Sequence, residues 1–374
     1  MEGGADSLYD QLRRPPAAAV TLTPVTQNSA HPLYHFFTWT IGTPDSASVL
    51  GRLGIYAVST FYIVSGMSMF VAYQRSTWSP REILFFVTKR YLRLAPAFWL
   101  ACTMVVVFLA YTSPTFVIPP EKYIGNYTLT FGFTAPNQYL TVGGWSIGNE
   151  MVFYAFFPLV MMIPKIRPAL VVSSLAVTLY FYIHYSFFKL TPTDYLGNQW
   201  NSYIDPRNQA FLFFLGVAIA WASLKFSLQG SNYTNIILAI SLLTFTIYPA
   251  NGNQIQIVSG IERIIFTAAC GGLCFAVFNT RYKVRPTIQK ALFMSGCLSY
   301  AIYMFHGIFA DITIHILCPA VGVTTPGGKL AMLLLVTTPV IMIFTYFFYA
   351  YIEKPVMNLG RHLKSRKFLP SEAH

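Results

Sequence analysis

Residues 329–352 read KLAMLLLVTTPVIMIFTYFFYAYI, a stretch whose only charged side chain is Lys329, at its start. A helix needs about 20 apolar residues to cross the hydrocarbon core of a bilayer, because lipid offers the backbone no hydrogen-bond partners. The stretch therefore predicts a membrane-spanning helix. Eight more apolar runs predict further spans, at 49–73, 95–111, 146–163, 168–188, 208–224, 233–249, 262–279 and 292–317.

A tenth span is predicted at 17–44, a stretch interrupted by Pro, Asn, Gln and two His. Cytoplasmic loops of membrane proteins are enriched in Lys and Arg. Ten spans with both termini in the cytoplasm place most of the 25 Lys and Arg side chains inside. Nine spans with the N-terminus outside give the same placement after residue 73. We therefore expect an all-α polytopic membrane protein of about ten transmembrane helices, with cytoplasmic N- and C-termini.

The composition also points to a lipid environment. Hydrophobic residues make up 55% of the chain and charged residues 10%, and the net charge is +12. Soluble proteins carry about 25% charged residues. The basic excess follows the predicted cytoplasmic loops, so we expect the lipid bilayer as a partner and no nucleic acid. We expect one transmembrane domain over residues 1–374, with cytoplasmic tails at 1–16 and 356–374. The five cysteines lie mostly in apolar runs, and no metal is expected.

Ionisable groups inside spans are costly, so each is a functional candidate. His35 lies in HPLYHFFTW, four residues after His31. An imidazole can take a proton from a hydroxyl near neutral pH. The alternative is an interfacial histidine with no chemical role. His31, closer to the polar Asn28 and Ser29, is the weaker candidate of the two.

Three cations are clustered in KRYLRLAP, just before Pro96 and a predicted span. Helical spacing puts Arg93 on the same face as Lys89 and Arg90. Clustered cations suit the phosphate groups of a ligand such as coenzyme A, since phosphate accepts several hydrogen bonds at once. The alternative is a set of basic anchors at the membrane surface.

Two more ionisable groups lie in the predicted spans. Glu150 follows Trp145 and Ser146 in GGWSIGNEMVFY, at the outer entrance of a span. A carboxylate there could orient a histidine or a sugar hydroxyl. The alternative is an interfacial glutamate with no chemical role. His306, at the end of LSYAIYMFH, lies nearer the middle of its span and is a candidate for lining a cavity.

Taken in order, these stretches resemble the membrane-bound acyltransferase family 3, integral-membrane enzymes that move acyl groups from acyl-CoA to hydroxyl acceptors. Five elements carry the resemblance, and together with His35 they extend from residue 35 to 355. They are Phe61–Met67 with Ser65 and Gly66, Lys89 to Arg93 with Pro96, Trp145–Glu150 with Tyr154 and Pro158, Ser299–His306 with Tyr300, and Glu353–Pro355.

The resemblance implies a mechanism. Lys89, Arg90 and Arg93 would bind acyl-CoA, with acetyl-CoA the expected donor, and His35 would deprotonate the acceptor hydroxyl or carry the acyl group. Glu150 would orient His35, and a turn at Ser65 and Gly66 would bring backbone donors near the oxyanion. The acceptor, a carbohydrate or another hydroxyl compound, would enter from outside the plasma membrane. The other expected site-lining residues are Trp145, Ser146, Tyr154, Tyr300 and His306, and no metal is required.

One departure from the family keeps other readings open. The family places an arginine eleven positions before the histidine, where this chain has Pro24. The start of the chain could be atypical, Arg52 could substitute, or activity could be impaired. A proton-coupled transporter of a polar or anionic solute is the strongest rival, because buried His, Asp and Glu also suit proton-coupled movement.

Overall fold

The computed structural model describes residues 31–113, 115, 117–228, 230, 233–280 and 285–365, with residues 360–365 as backbone alone. Helices form the framework, and the described residues contain no strand. The α-helices of four or more residues in the first half of the described chain are α1 over residues 31–38, α2 Val49–Tyr73, α3 Pro80–Thr112, α4 Pro120–Thr128, α5 Phe131–Thr134, α6 Gly144–Met161 and α7 Arg167–His184. Those in the second half are α8 Trp200–Tyr203, α9 Pro206–Lys225, α10 Tyr233–Ile247, α11 Ile255–Val258, α12 Gly260–Asn279 and α13 Pro286–Ile312. The last helix, α14, has three α-helical segments, Pro326–Met332, Thr338–Phe348 and Lys354–Ser365.

Single π-helical turns continue several of these helices. They are Tyr185–Lys189 after α7, Thr313–Leu317 after α13, and Leu333–Thr337 and Tyr349–Glu353 within α14. A π-turn fits one extra residue into a helix without ending it. Helices α13 and α14 therefore stay continuous over lengths that exceed one crossing of a bilayer.

Seven helices in the described part of the chain are long and apolar enough to cross a membrane: α2, α3, α7, α9, α12, α13 and α14. Each coincides with a predicted apolar run, which confirms an all-α membrane protein. Two predicted spans are not among these seven, since 233–249 is the shorter apolar helix α10 and 146–163 corresponds to α6, whose first two turns carry polar residues. The total of about ten spans and the sidedness of the termini stay predictions.

The ends of the chain are described only in part. Of the predicted span at 17–44, residues 31–38 form α1, while 17–30 lie outside the described residues. The predicted tail 1–16, Pro24 and residues 366–374 lie outside them as well.

Helix α3 begins at Pro80, earlier than the predicted apolar run at 95–111. The basic residues of KRYLRLAP are thus inside the helix instead of before it, and Pro96 is an internal proline. Hydropathy locates the lipid-facing part of a helix, whereas the helix itself continues as long as its backbone hydrogen bonds are satisfied. The cations therefore project from a regular helical surface towards their neighbours.

Helices α2 and α9 approach each other through glycine. A Cβ on Gly66 would lie 2.0 Å from the carbonyl oxygen of Phe213, and a Cβ on Gly216 would lie 1.9 Å from that of Ile63. Small residues allow this close backbone approach, which is a common way of packing membrane helices. Helix α2 is buried along most of its length by this contact and its other neighbours.

The same rule positions α1. A Cβ on Gly54 would lie 2.3 Å from the ring of Tyr34, so the Tyr34 side chain lies flat against the backbone of α2 at this glycine. Phe36, two residues further along α1, is 2% exposed and packs in a small core with Ala310 and Leu333. These two contacts hold α1 against α2 on one side and against α13 and α14 on the other.

Candidate active site

Three histidines meet where α1 faces α13. His31 and His35 lie one turn apart on α1, and their ring centroids are 4.6 Å apart. The ring of His306, from α13, lies 5.7 Å from His31 and 5.4 Å from His35. One ring nitrogen of each lies within 4.8 Å of those of the other two. We call these three residues the histidine cluster.

Aromatic rings enclose the cluster. Trp39 stacks on His35 with ring centroids 4.9 Å apart and reaches His306 at 6.1 Å. Tyr303 closes the opposite side, with its ring centroid 5.0 Å from that of His31. His31 is 5% exposed and His306 is fully buried. His31 and His306 are therefore shielded from water, while His35 is half-buried.

A hydrogen-bonded chain fixes His306. Its Nδ1 lies 2.7 Å from the backbone oxygen of Tyr303, which selects the tautomer with the proton on Nδ1. The hydroxyl of Tyr303 in turn donates to the carbonyl of Gly143 at 3.1 Å and accepts from Ser146 at 3.2 Å. Gly143 has φ of +76° and leaves no room for a Cβ beside Tyr303, so glycine is required at this turn. Nε2 of His306 thus presents a lone pair to the cluster.

A small cavity of about 20 Å³ opens beside the cluster. It is narrow, and most of its walls are apolar. Its lining includes four residues that carry polar groups, namely His31, Ser146, Tyr300 and Tyr303. The remaining lining residues are Ala57, Val58 and Phe61, all from α2.

The cationic cluster, Lys89, Arg90 and Arg93, lies towards the N-terminal end of α3. Arg93 forms an ion pair with Glu353, whose side chain is completely buried. The guanidinium of Arg93 also lies 5.3 Å from the centre of the Tyr300 ring, and the Tyr300 hydroxyl donates to the carbonyl of Leu94 at 2.6 Å. Glu353 therefore balances the charge of Arg93, and Glu353 and Tyr300 together hold its guanidinium in place.

Aromatic rings contact both Arg90 and Lys89. The Arg90 guanidinium lies 5.6 Å from the ring of Tyr73 and 5.8 Å from that of Tyr154, and Lys89 lies 6.0 Å from Tyr73. Nε of Arg90 is buried and has no hydrogen-bond partner among the described residues. A cation–π contact orients a guanidinium without neutralising it. Arg90 therefore keeps hydrogen-bonding capacity for an anion.

Glu150 joins the cationic side of the site. Its Oε1 accepts hydrogen bonds from Ser65 and from Tyr154, each at 2.7 Å. Tyr154 is the residue whose ring faces Arg90. The structure thus places Glu150 inside the bundle, in the second turn of α6 and 1% exposed, instead of at an outer entrance. The rings that contact His35 are those of the other two histidines, Tyr34 and Trp39.

One further expectation is wrong, and Trp145 and Arg52 make contacts that the sequence does not predict. Ser65 and Gly66 lie inside α2, so the predicted turn is wrong; helix-interior amides donate to their own helix and cannot also serve an oxyanion. Trp145 packs against Trp200 and Tyr203, with ring centroids 5.8 Å apart in both pairs. Arg52 donates to the backbone oxygens of Ser46, Phe245 and Tyr248, which occupy its guanidinium nitrogens.

Sequence reasoning underestimated His31 and omitted Trp39 and Tyr303. The spacing of His31 and His35, one helical turn, was the available signal, because such pairs project from one face. The third member of the cluster comes from α13, and no local pattern connects it with α1.

One helix connects the two clusters. Tyr300, beside Arg93, and His306, in the histidine cluster, both lie on α13. Six residues of α-helix rise about 9 Å. The cations and the imidazoles thus lie at two levels of one bundle, with the cavity between them.

Residues 23–352 match the acyltransferase domain family of type 3, which is most of the chain. The chain belongs to acyltransferase family 3. With its apolar helices, it is an integral-membrane acyltransferase. The expectation drawn from the five sequence elements is confirmed.

This acyltransferase is also similar to the exopolysaccharide production protein ExoZ of Rhizobium meliloti (strain 1021), at 30% identity over 131 residues. The match covers 34% of this chain and 40% of ExoZ, so it spans less than half of either protein. No solved structure matches the chain.

Proposed function

We propose that this acyltransferase moves an acetyl group from cytoplasmic acetyl-CoA to a hydroxyl of a carbohydrate acceptor at the outer face of the plasma membrane. The observation that carries the proposal is the cavity whose lining includes both His31, of the histidine cluster, and Tyr300, which packs on Arg93. Family membership supports the transfer chemistry. The name of ExoZ, which refers to exopolysaccharide, supports a carbohydrate acceptor.

The donor half of the reaction follows from the cationic cluster. Lys89, Arg90 and Arg93 carry three positive charges, and Glu353 offsets one of them. Phosphate groups favour planar, multi-donor guanidinium partners, so Arg90 is the residue we assign to direct phosphate contact. Arg93, held by Glu353 and Tyr300, would add charge from a fixed position. The thioester would then lie along the cavity, towards the histidines, and the cavity would have to widen to admit it.

The acceptor half follows from the histidine cluster. His35 would take the proton of the acceptor hydroxyl while the hydroxyl oxygen attacks the thioester carbonyl carbon. The C–S bond then breaks, and the thiolate of CoA takes the proton back from the imidazolium. Alternatively His35 would attack the carbonyl itself and carry the acetyl group before passing it to the hydroxyl. Both routes give an ester and free CoA.

Glu150 acts on the donor side in this proposal. Its bonds to Ser65 and Tyr154 fix the face of Tyr154 that Arg90 stacks on. The carboxylate would thus keep the guanidinium aligned for the donor, a positioning role.

The test uses the purified protein in lipid nanodiscs with labelled acetyl-CoA. We expect wild type to bind acetyl-CoA and to hydrolyse its thioester slowly when no acceptor is present. Arg90→Ala should weaken binding by about 10- to 100-fold, the effect of losing a charge-assisted contact of about 1.5–3 kcal/mol. Lys165→Ala removes an exposed cation elsewhere and is the matched control. Equal weakening in both variants would contradict a specific donor site.

The acceptor is tested by incubating the nanodiscs with acetyl-CoA and with polysaccharide from which base-labile esters have been removed. Transfer of label to the carbohydrate is the expected result. Accumulation of a solute in sealed vesicles without acetyl-CoA, and no binding of acetyl-CoA, would favour the transporter instead.

A further inference from the structure

The histidine cluster has the form of a metal-binding triad. Two ligands come from one helix at a spacing of four residues, as in helical zinc sites, and a third comes from a neighbouring helix. One nitrogen from each ring lies within 4.8 Å of the others. Tetrahedral zinc with bonds of about 2.0–2.1 Å needs nitrogens about 3.4 Å apart. Rotations of the rings that bring these nitrogens about 1.4 Å closer together would therefore complete the site.

Two of the three rings already present unused nitrogens. Nδ1 of His31 and Nε2 of His306 are buried and have no hydrogen-bond partner among the described residues. A buried nitrogen without a partner loses the free energy of its hydrogen bond to water, which is why such atoms are rare. A ligand that accepts both lone pairs would remove this cost.

His306 is also arranged as metal-binding histidines usually are. Its Nδ1 bonds to the backbone oxygen of Tyr303 at 2.7 Å, leaving Nε2 directed at the other two imidazoles. In metal sites, such a bond from the second ring nitrogen to a carbonyl fixes the tautomer and orients the ligand.

We propose that His31, His35 and His306 bind one divalent transition-metal ion of the zinc class, and that the bound ion inhibits acyl transfer. Three neutral imidazoles suit Zn²⁺, Co²⁺ or Cu²⁺, whereas Mg²⁺ and Ca²⁺ require oxygen ligands. Three protein ligands leave a fourth position on the ion. Ser146 and Tyr303 line the cavity next to it, and a water or hydroxide would complete the coordination there.

The inhibitory effect rests on the proposed function. If His35 takes the proton of the acceptor, or the acetyl group, its lone pair must be available. A metal ion bound to that nitrogen occupies the lone pair, so the same imidazole cannot serve both. The cluster would therefore alternate between a metal-free, active state and a metal-bound, inactive one.

Binding is measured first, without any substrate. The full chain, purified with a chelator and transferred to nanodiscs, is titrated with Co²⁺, whose visible absorption becomes intense in tetrahedral sites. One Co²⁺ per chain is expected, and Zn²⁺ should displace it. His31→Gln and His306→Gln should each weaken binding by about 100-fold or more, since losing a ligand costs at least as much as losing an outer-shell partner, worth 10–100-fold. His184→Gln is the matched control, because His184 lies on α7 among exposed aromatic rings.

The results separate the site from its effect. Absence of a tetrahedral signal, or an equal signal in His306→Gln and wild type, would overturn the metal site. Tight binding in wild type with unchanged or increased acetyl transfer at saturating Zn²⁺ would overturn the inhibitory role and leave the site standing. Acetyl-CoA binding is followed in the same samples with and without Zn²⁺. If acetyl-CoA never binds, the proposed function fails, while the Co²⁺ titration still decides the metal site.

Discussion

The histidine cluster and the cationic cluster are built on opposite principles. The cations follow one another within four residues of α3, and each is held by rings or by a buried acid on neighbouring helices. The histidines come from two distant parts of the chain and keep unpartnered nitrogens. A binding site for a charged donor benefits from cations that are fixed in place. A site that moves protons requires a lone pair that nothing else occupies.

The largest effect is expected at the histidine cluster. His35→Ala should lower acetyl transfer by about 10²- to 10⁴-fold, the contribution typical of a general base, and leave acetyl-CoA binding unchanged. The measurement pairs a transfer assay with a binding isotherm. His184→Ala is the control, since it removes an imidazole outside the cluster. A His35→Ala protein with wild-type transfer, or one that no longer bound acetyl-CoA, would contradict the role assigned to His35.

The next largest effect concerns the ion pair of the cationic cluster. Arg93→Ala leaves the completely buried Glu353 without its cation. Breaking one side of such a pair costs about 3–5 kcal/mol, whereas replacing both members is far less harmful. We therefore expect a clear loss of thermal stability in Arg93→Ala and substantial recovery in Arg93→Ala/Glu353→Gln, measured by intrinsic fluorescence in detergent. The double variant should still bind acetyl-CoA more weakly than wild type.

A smaller effect tests how α1 is positioned. Gly54→Ala puts a methyl group where the Tyr34 ring lies, so α1 must move and carry His31 and His35 with it. A displacement of about 1 Å can cost about 10²-fold in rate. Transfer should fall by up to that factor while donor binding is unchanged. Gly327→Ala is the matched control, because nothing lies within 4 Å of that position.

The smallest effect is expected for Tyr303→Phe. The change removes the hydroxyl contacts with Gly143 and Ser146 but keeps the backbone oxygen that anchors His306. One neutral hydrogen bond contributes about 0.5–1.5 kcal/mol, so transfer should fall by roughly 2- to 10-fold. Loss of transfer as severe as in His35→Ala would show that the Tyr303 hydroxyl itself takes part in the reaction.

The sequence predicts the helices of this protein well where hydropathy alone determines them. Lipid forces apolar runs into helices, and the seven spans at α2, α3, α7, α9, α12, α13 and α14 follow directly. The same rule places the start of α3 too late, because Lys89, Arg90 and Arg93 are polar yet helical. Hydropathy also does not predict that Glu150, in α6, is buried.

The site was predictable where it is local. The grouping of Lys89, Arg90 and Arg93 is readable from helical spacing, and His35 and His306 were each candidates on their own. The contact between His35 and His306 depends on the packing of α1 against α2 at Gly54 and on the turn at Gly143. The periodicity of the sequence predicts neither of these features. Gly66 illustrates the opposite error, because a glycine beside a serine suggests a turn, while here it allows α9 to approach.

Helix α13 also sets a fixed length scale for the enzyme. One inserted residue between Tyr300 and His306 would rotate His306 by about 100° and shift it by about 1.5 Å, out of the reach of α1. Substitutions in this segment change side chains, whereas a change of length would separate the imidazoles from the donor cations. The π-helical turn of α13 lies at Thr313–Leu317, beyond His306. The extra residue is thus accommodated where it leaves the register between the two clusters unchanged.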